Sequence, residues 1–161
     1  MYICNQNIKM KKLILPIIIF VILTGCNDSA VFKEYVILDN VSWNKLEVLN
    51  FEFPVEKNEG LDFYLALRHH TNFPYTFIKI NITFYTPDGE MRSRDYQFRL
   101  KGIDGNWLAD GMGDLWDIEL PIRKDMIFNE TGICKVSFEN KMNKAETPGI
   151  IEIGLIVRKA K

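Results

Sequence analysis

From Leu49 to the end of the chain, apolar residues recur at every second position, and a period of two commits a chain to strands instead of helices. Leu49, Phe51, Phe53 and Val55 share one face of a first strand, against Asn50, Glu52, Pro54 and Glu56 on the other. Leu61, Phe63, Leu65 and Leu67 repeat the pattern, and Ile78, Ile80, Ile82 and Phe84 repeat it again. Later runs place Tyr96 with Phe98 and Leu100, Ile118 with Leu120 and Ile122, Cys134 with Val136 and Phe138, and Ile151 with Ile153, Leu155 and Val157. No apolar stripe of helical period exceeds two turns. Seven or eight short strands with turn signals between them predict an all-β fold, an antiparallel β-sandwich. Pro54 has no N–H for a ladder, so its strand belongs at an edge or a bulge. Thr86-Pro87-Asp88-Gly89 puts Pro at the second place of a type I turn and Gly where positive φ is free, which predicts a hairpin between the third and fourth strands.

The first part of the chain has a different character. Lys9, Lys11 and Lys12 precede an apolar run from Leu13 to Leu23, and Leu23-Thr24-Gly25-Cys26 follows. A charged start, an apolar stretch too short to span a bilayer and small residues at the end describe a secretory signal. Met10-Lys11-Lys12 is a better start to it than residues 1–9. The cysteine makes it a lipobox, in which the Cys26 thiolate takes a diacylglyceryl group and cleavage before it frees an amine for another acyl chain. Two or three chains anchor a protein stably, whereas one binds marginally. The expected organisation is therefore a removed signal over residues 1–25, a lipidated Cys26 with a polar tether over 26–33, and a β-sandwich over 34–161. Three of the twenty basic residues leave with the signal, so the 21 acidic residues outnumber the basic ones in the mature part, which argues against nucleic acid as a partner. Cys4 leaves with the signal and Cys26 is consumed by lipid. Cys134 then has no partner for a disulfide, and its alternation with Val136 and Phe138 makes it a small inward hydrophobe.

Chemistry is hard to place. Asp104-Gly105-Asn106-Trp107-Leu108-Ala109-Asp110-Gly111-Met112-Gly113-Asp114 holds oxygen ligands and glycines, but Trp107 and Leu108 interrupt the alternation a calcium loop needs and no bidentate Glu closes it. The segment is expected to be a long structural or docking loop, with Asp104, Asp110 and Asp114 making turns, Trp107 folded over the core edge, and no metal bound. His69 and His70 point to opposite faces of an extended strand, so they share no metal and are expected at the surface or an edge. There is no Gly-x-Ser-x-Gly elbow, no exposed thiol with a base, and no Gly-rich phosphate loop, so neither an enzyme nor a cofactor is expected.

With these features in hand, the chain resembles the gliding motility lipoprotein GldH family of Bacteroidota. The residues that carry the likeness are Val31-Phe32-Lys33-Glu34-Tyr35, Trp43, Asn72-Phe73-Pro74-Tyr75, Pro87-Asp88-Gly89, Gly105-Asn106-Trp107, Gly111-Met112-Gly113-Asp114, Pro148-Gly149-Ile150 and Gly154-Leu155. The resemblance implies a non-enzymatic envelope lipoprotein associated with gliding and its secretion apparatus, working through contacts with other envelope proteins; Cys26 alone carries over as a functional residue. Asp28-Ser29-Ala30 also resembles the O-glycosylation acceptor pattern of this phylum and makes Ser29 a candidate glycan site. Asn27 is not the Asp linked to inner-membrane retention in enteric bacteria, and no dense acidic run follows, so the expected location is the periplasmic face of the outer membrane. The alternative is a lipid-anchored carbohydrate-binding module that stacks sugars on Trp43, Trp107, Trp116, Tyr75 or Tyr85. Exposure separates the two: a planar exposed row favours glycan, whereas buried tryptophans with an apolar or strand-edge patch favour a protein partner.

Overall fold

The computed structural model describes residues 30–160, so the signal segment, Cys26 and Ser29 lie outside the described residues. The strands are β1 (Ala30–Ile37), β2 (Ser42–Asn44), β3 (Val48–Val55), β4 (Gly60–His70), β5 (Phe77–Tyr85), β6 (Met91–Arg99), β7 (Asp110–Met112), β8 (Leu115–Ile127), β9 (Gly132–Asn140), β10 (Glu146–Pro148) and β11 (Ile150–Lys159). A five-stranded sheet runs β1-β11-β4-β8-β7, a four-stranded one β3-β9-β5-β6, and a short ribbon pairs β10 with β2. Every pair is antiparallel. The inner faces of the two large sheets enclose the core, the sandwich that period two predicts.

The eleven strands exceed the seven or eight expected, and the excess has a simple cause. β2, β7 and β10 are three residues long, too short to display a period. Elsewhere alternation translates directly into burial. In β3, Leu49, Phe51, Phe53 and Val55 are buried and the residues between them are exposed, and the strand lies at a sheet edge, where Pro54 is tolerated. Phe63 of β4 meets Phe53 of β3 at 6.0 Å and Phe84 of β5 edge-on at 5.0 Å, which joins the two sheets through aromatic contacts. Cys134 is buried among them, and burial pushes its thiol up to about 12, so it is inert. The β5–β6 hairpin forms as expected: Thr86 N–H donates to the Glu90 carbonyl, and Gly89 sits at φ 81°.

Three readings are corrected. The first strand begins at Ala30, not near Leu49; β1 takes in residues 30–33, read from sequence as tether, and pairs with β11 along its length. Its inward face, Phe32 and Val36, is interrupted by Glu34, while Val31, Tyr35 and Ile37 on the other face are exposed, so neither face shows a clean apolar alternation. In β11 a register shift falls between Ile150 and Glu152, and the fully buried Ile150 takes the place read for the half-buried Ile151. His69 is fully buried instead of lying at the surface. It continues the phase of Leu61, Phe63, Leu65 and Leu67, which sets which way a side chain points in a strand.

Candidate functional site

β1 starts beside Arg158 and ends beside Glu152 of β11, so the chain enters at one end of the sandwich and climbs to the other. The far end gathers the Asp39–Val41 turn, the β2–β3 turn, the segment after β4, the β6–β7 loop and the β7–β8 turn. Large apolar side chains stand out on these turns. Ile103 is 100% exposed, Leu46 90%, Met112 85% and Ile37 73%, the four highest values among the described large hydrophobic residues. Each comes from a different segment, so only the fold brings them to one end.

Behind them the loops are firmly built. Trp43 of β2 is fully buried and its indole N–H donates to the Glu47 carbonyl at 3.1 Å, which holds the turn that carries Leu46. Buried Asn140 donates to the Trp43 carbonyl and to Thr147 Oγ1, both at 2.9 Å, and accepts from Met142 N–H, so one amide ties β2, β10 and the end of β9 together. Val41 holds φ 52°, a left-handed backbone that β-branched residues rarely adopt, and Gly149 N–H donates to its carbonyl at 2.8 Å.

The β6–β7 loop is a small hairpin. Gly102 N–H donates to the Asn106 carbonyl, Leu108 N–H to the Leu100 carbonyl, and Lys101 bridges Trp107, which leaves Ile103 at the tip. Asp104 accepts from the Asn106 backbone and side chain at 3.2 and 2.8 Å, and the Asn106 side-chain bond chiefly holds its carboxyl below the usual range. Trp107 is half-buried and packs against the core. Its ring lies 4.4 Å from His69, 6.3 Å from Phe73 and 6.5 Å from Trp116, with Lys101 Nζ 4.0 Å from the centroid. Asp110 pairs with Asp117 across β7 and β8, and the Asp114 carbonyl accepts from Thr71 N–H. Asp104, Asp110 and Asp114 do not converge; among the described residues no three His, Cys, Asp or Glu side chains stand together as a metal would require.

His69 is the residue that sequence reasoning misplaced. Its Nδ1 lies 3.1 Å from the His70 carbonyl, which can only accept, so Nδ1 carries the proton and Nε2 is a buried acceptor without a hydrogen-bond partner. Burial against Trp107 and Phe73 pulls its pKa below the usual imidazole value. It serves as a packing residue under Trp107.

The aromatics nominated for sugar stacking do not form an exposed row. Trp43 is buried, Trp116 donates to Thr71 Oγ1 at 2.7 Å, Tyr75 packs edge-on against Phe73, and Tyr85 sits on the other sheet.

The family model of the GldH lipoproteins matches residues 30–157, which is all but a few of the described residues. The chain belongs to the GldH lipoprotein family. A relative described as a gliding motility lipoprotein GldH homolog, from Christiangramia forsetii, is 24% identical over 148 residues, covering 87% of this chain and 90% of its own. GldH proteins are gliding-motility lipoproteins and not an enzyme family, which places this chain in the membrane-anchored part of the cell envelope. Among solved structures, an exo-β-1,3-galactanase from Phanerochaete chrysosporium overlaps 78% of this chain and 26% of its own at 13% identity and TM-score 0.40. A non-crystalline-cellulose carbohydrate-binding module overlaps 74% and 73% at 13% identity and TM-score 0.38. Neither likeness bears on what this protein binds.

Proposed function

We propose that this GldH protein is held to the periplasmic face of the outer membrane through acylated Cys26 and docks onto other envelope proteins through its far loops. The observation that carries the reading is the position of Ile37, Leu46, Ile103 and Met112. All four stand at the end opposite Ala30, where the chain enters from its anchor. Four steps of chain from Cys26 to Ala30 reach at most about 14 Å, while the eleven residues of β4 run roughly 37 Å along the domain. An upright domain on so short a leash cannot turn its far end back to its own membrane. Two copies meeting tip to tip would put their anchors on opposite sides, which one leaflet does not allow. Exposed apolar side chains on well-held turns fit an apolar surface of a partner protein.

The test is a variant carrying Leu46→Ser, Ile103→Ser and Met112→Ser, whose side chains support nothing in the core. It is expected to keep the wild-type melting temperature. On native gels of detergent-solubilised envelopes the wild-type protein should migrate in a high-mass complex and the variant as the isolated lipoprotein. A wild-type protein that migrates alone, or a variant that stays in the complex, contradicts the reading.

A further inference from the structure

The outer face of the five-stranded sheet carries a groove of about 870 Å³, within the size range of small-ligand clefts. Its floor is made by one register row, Tyr35–Gly154–Ala66–Glu119, and its upper wall by the next, Glu152–Arg68–Asp117–Asp110. Gly154 explains the shape. A Cβ there would fall 2.5 Å from Tyr35 Cδ1 and 2.6 Å from the Glu34 carbonyl, so Tyr35 reaches its position only because position 154 has no side chain. The tyrosine therefore lies down on the strand instead of standing off it, and it stays 41% exposed. Lys33 Nζ stands at the rim, 5.6 Å from the ring centroid.

Around this platform the polar groups are fixed in planes. Arg68 meets Asp117 through two bonds, at 2.7 and 3.1 Å, and reaches Glu152 at 3.2 Å. Arg158 meets Glu119 in the same two-pronged way, at 2.7 and 3.1 Å, over the face of Tyr64. Such pairs hold their side chains in place before any ligand arrives, so little rotamer entropy remains to be lost on binding. As stabilising salt bridges on an open face they are worth little.

We infer that this groove binds a neutral oligosaccharide. The chemistry that matches is specific. A pyranose offers a C–H face that packs on an aromatic ring, and neighbouring hydroxyls that each donate and accept, which suits a carboxylate edge beside a guanidinium edge. Charge selects against other ligands. In the lining Asp110, Asp117, Glu119 and Glu152 outnumber Lys33 and Arg68, and Arg68 is already engaged, so a phosphate or an acidic glycan meets net repulsion. The row from Tyr35 to Glu119 crosses three strand spacings, roughly 14 Å, which is the span of an oligosaccharide and not of a single sugar. Trp107, Leu108 and Ala109 of the β6–β7 loop line one side of the groove, which therefore lies beside the far-end loops, but the inference does not rest on the docking reading.

The experiment uses the mature lipoprotein in detergent, titrated calorimetrically with cellohexaose, laminarihexaose and chitohexaose up to millimolar concentration. At least one is expected to bind. Tyr35→Ala should weaken it at least tenfold, Tyr35→Phe should keep it, and Tyr85→Ala on the other sheet should change nothing. Melting curves of all three variants show whether Tyr35→Ala remains folded; if it does not, Asp117→Asn, which keeps the side-chain shape and removes the charge, is expected to weaken binding in its place. Absence of binding by all three hexasaccharides, or equal binding by wild type, Tyr35→Ala and Asp117→Asn, overturns the inference. Neither result touches the complex expected on native gels, so failure here is distinguishable from failure of the docking reading.

Discussion

Replacing Trp43 by alanine is expected to lower the melting temperature of the domain by roughly 10–15 °C. The residue is fully buried, and emptying a buried Trp site costs about 3–5 kcal/mol out of the ~5–15 kcal/mol that holds a domain together. Two further losses fall on the same place. The indole bond to the Glu47 carbonyl disappears, and the β2–β10 ribbon, whose pairing spans three residues, loses the side chain that fastens it to the core. Trp43→Phe keeps most of the volume and gives up the N–H, so it should cost about half as much. Trp107→Ala should cost less than Trp43→Ala because its ring is partly exposed and rests on His69 and Phe73 from outside. Thermal melts monitored by circular dichroism rank the three. A Trp43→Ala protein that melts with the wild type would show that the ribbon is not bound to the core as described.

Cys26→Ala is expected to transfer the protein from the membrane fraction to the soluble fraction while leaving its export and melting temperature intact. In the proposed anchor the Cys26 sulfur takes the diacylglycerol; among the described residues no helix is long and apolar enough to cross a bilayer. Each buried methylene contributes about 0.8 kcal/mol, so losing two or three acyl chains removes the anchor entirely. Envelope fractionation with intact-mass measurement of the mature N-terminus reads both parts. A membrane-bound Cys26→Ala protein, or a wild-type N-terminus without acyl chains, would contradict the lipid anchor.

Much of the fold was legible because half-buried strands write their faces into the sequence. Leu49 to Val55, Leu61 to Leu67 and Ile78 to Phe84 alternate cleanly, and each is a long strand with the expected face inside. What escaped notice lacks that signature for physical reasons. β2, β7 and β10 are too short to alternate, and β1 carries apolar residues on both faces because Tyr35 lies over Gly154 on the side away from the core. His69 could have been placed by extending the phase of Leu67 by one repeat; the expectation that histidine prefers the surface obscured it. The Trp107 segment was legible as a loop from its turn-forming glycines and aspartates, but Asp110, expected in a turn, belongs to β7. The far-end surface was not legible. Ile37, Leu46, Ile103 and Met112 are scattered along the chain, and each alone is an unremarkable exposed residue. Their gathering at one end follows from strand order, as does the meeting of Tyr35 with Gly154.

Contact through that end can be read position by position in living cells. A photoreactive residue placed at 46, 103 or 112 on the far loops, or at 91, 127 or 133 at the anchor end, samples neighbours at the two extremes of the domain. Illumination is expected to give discrete protein adducts of the same mass from all three far positions and none from the three anchor-end positions. Adducts confined to 91, 127 and 133, or none from 46, 103 and 112, would show that the domain does not meet its partner through the far loops.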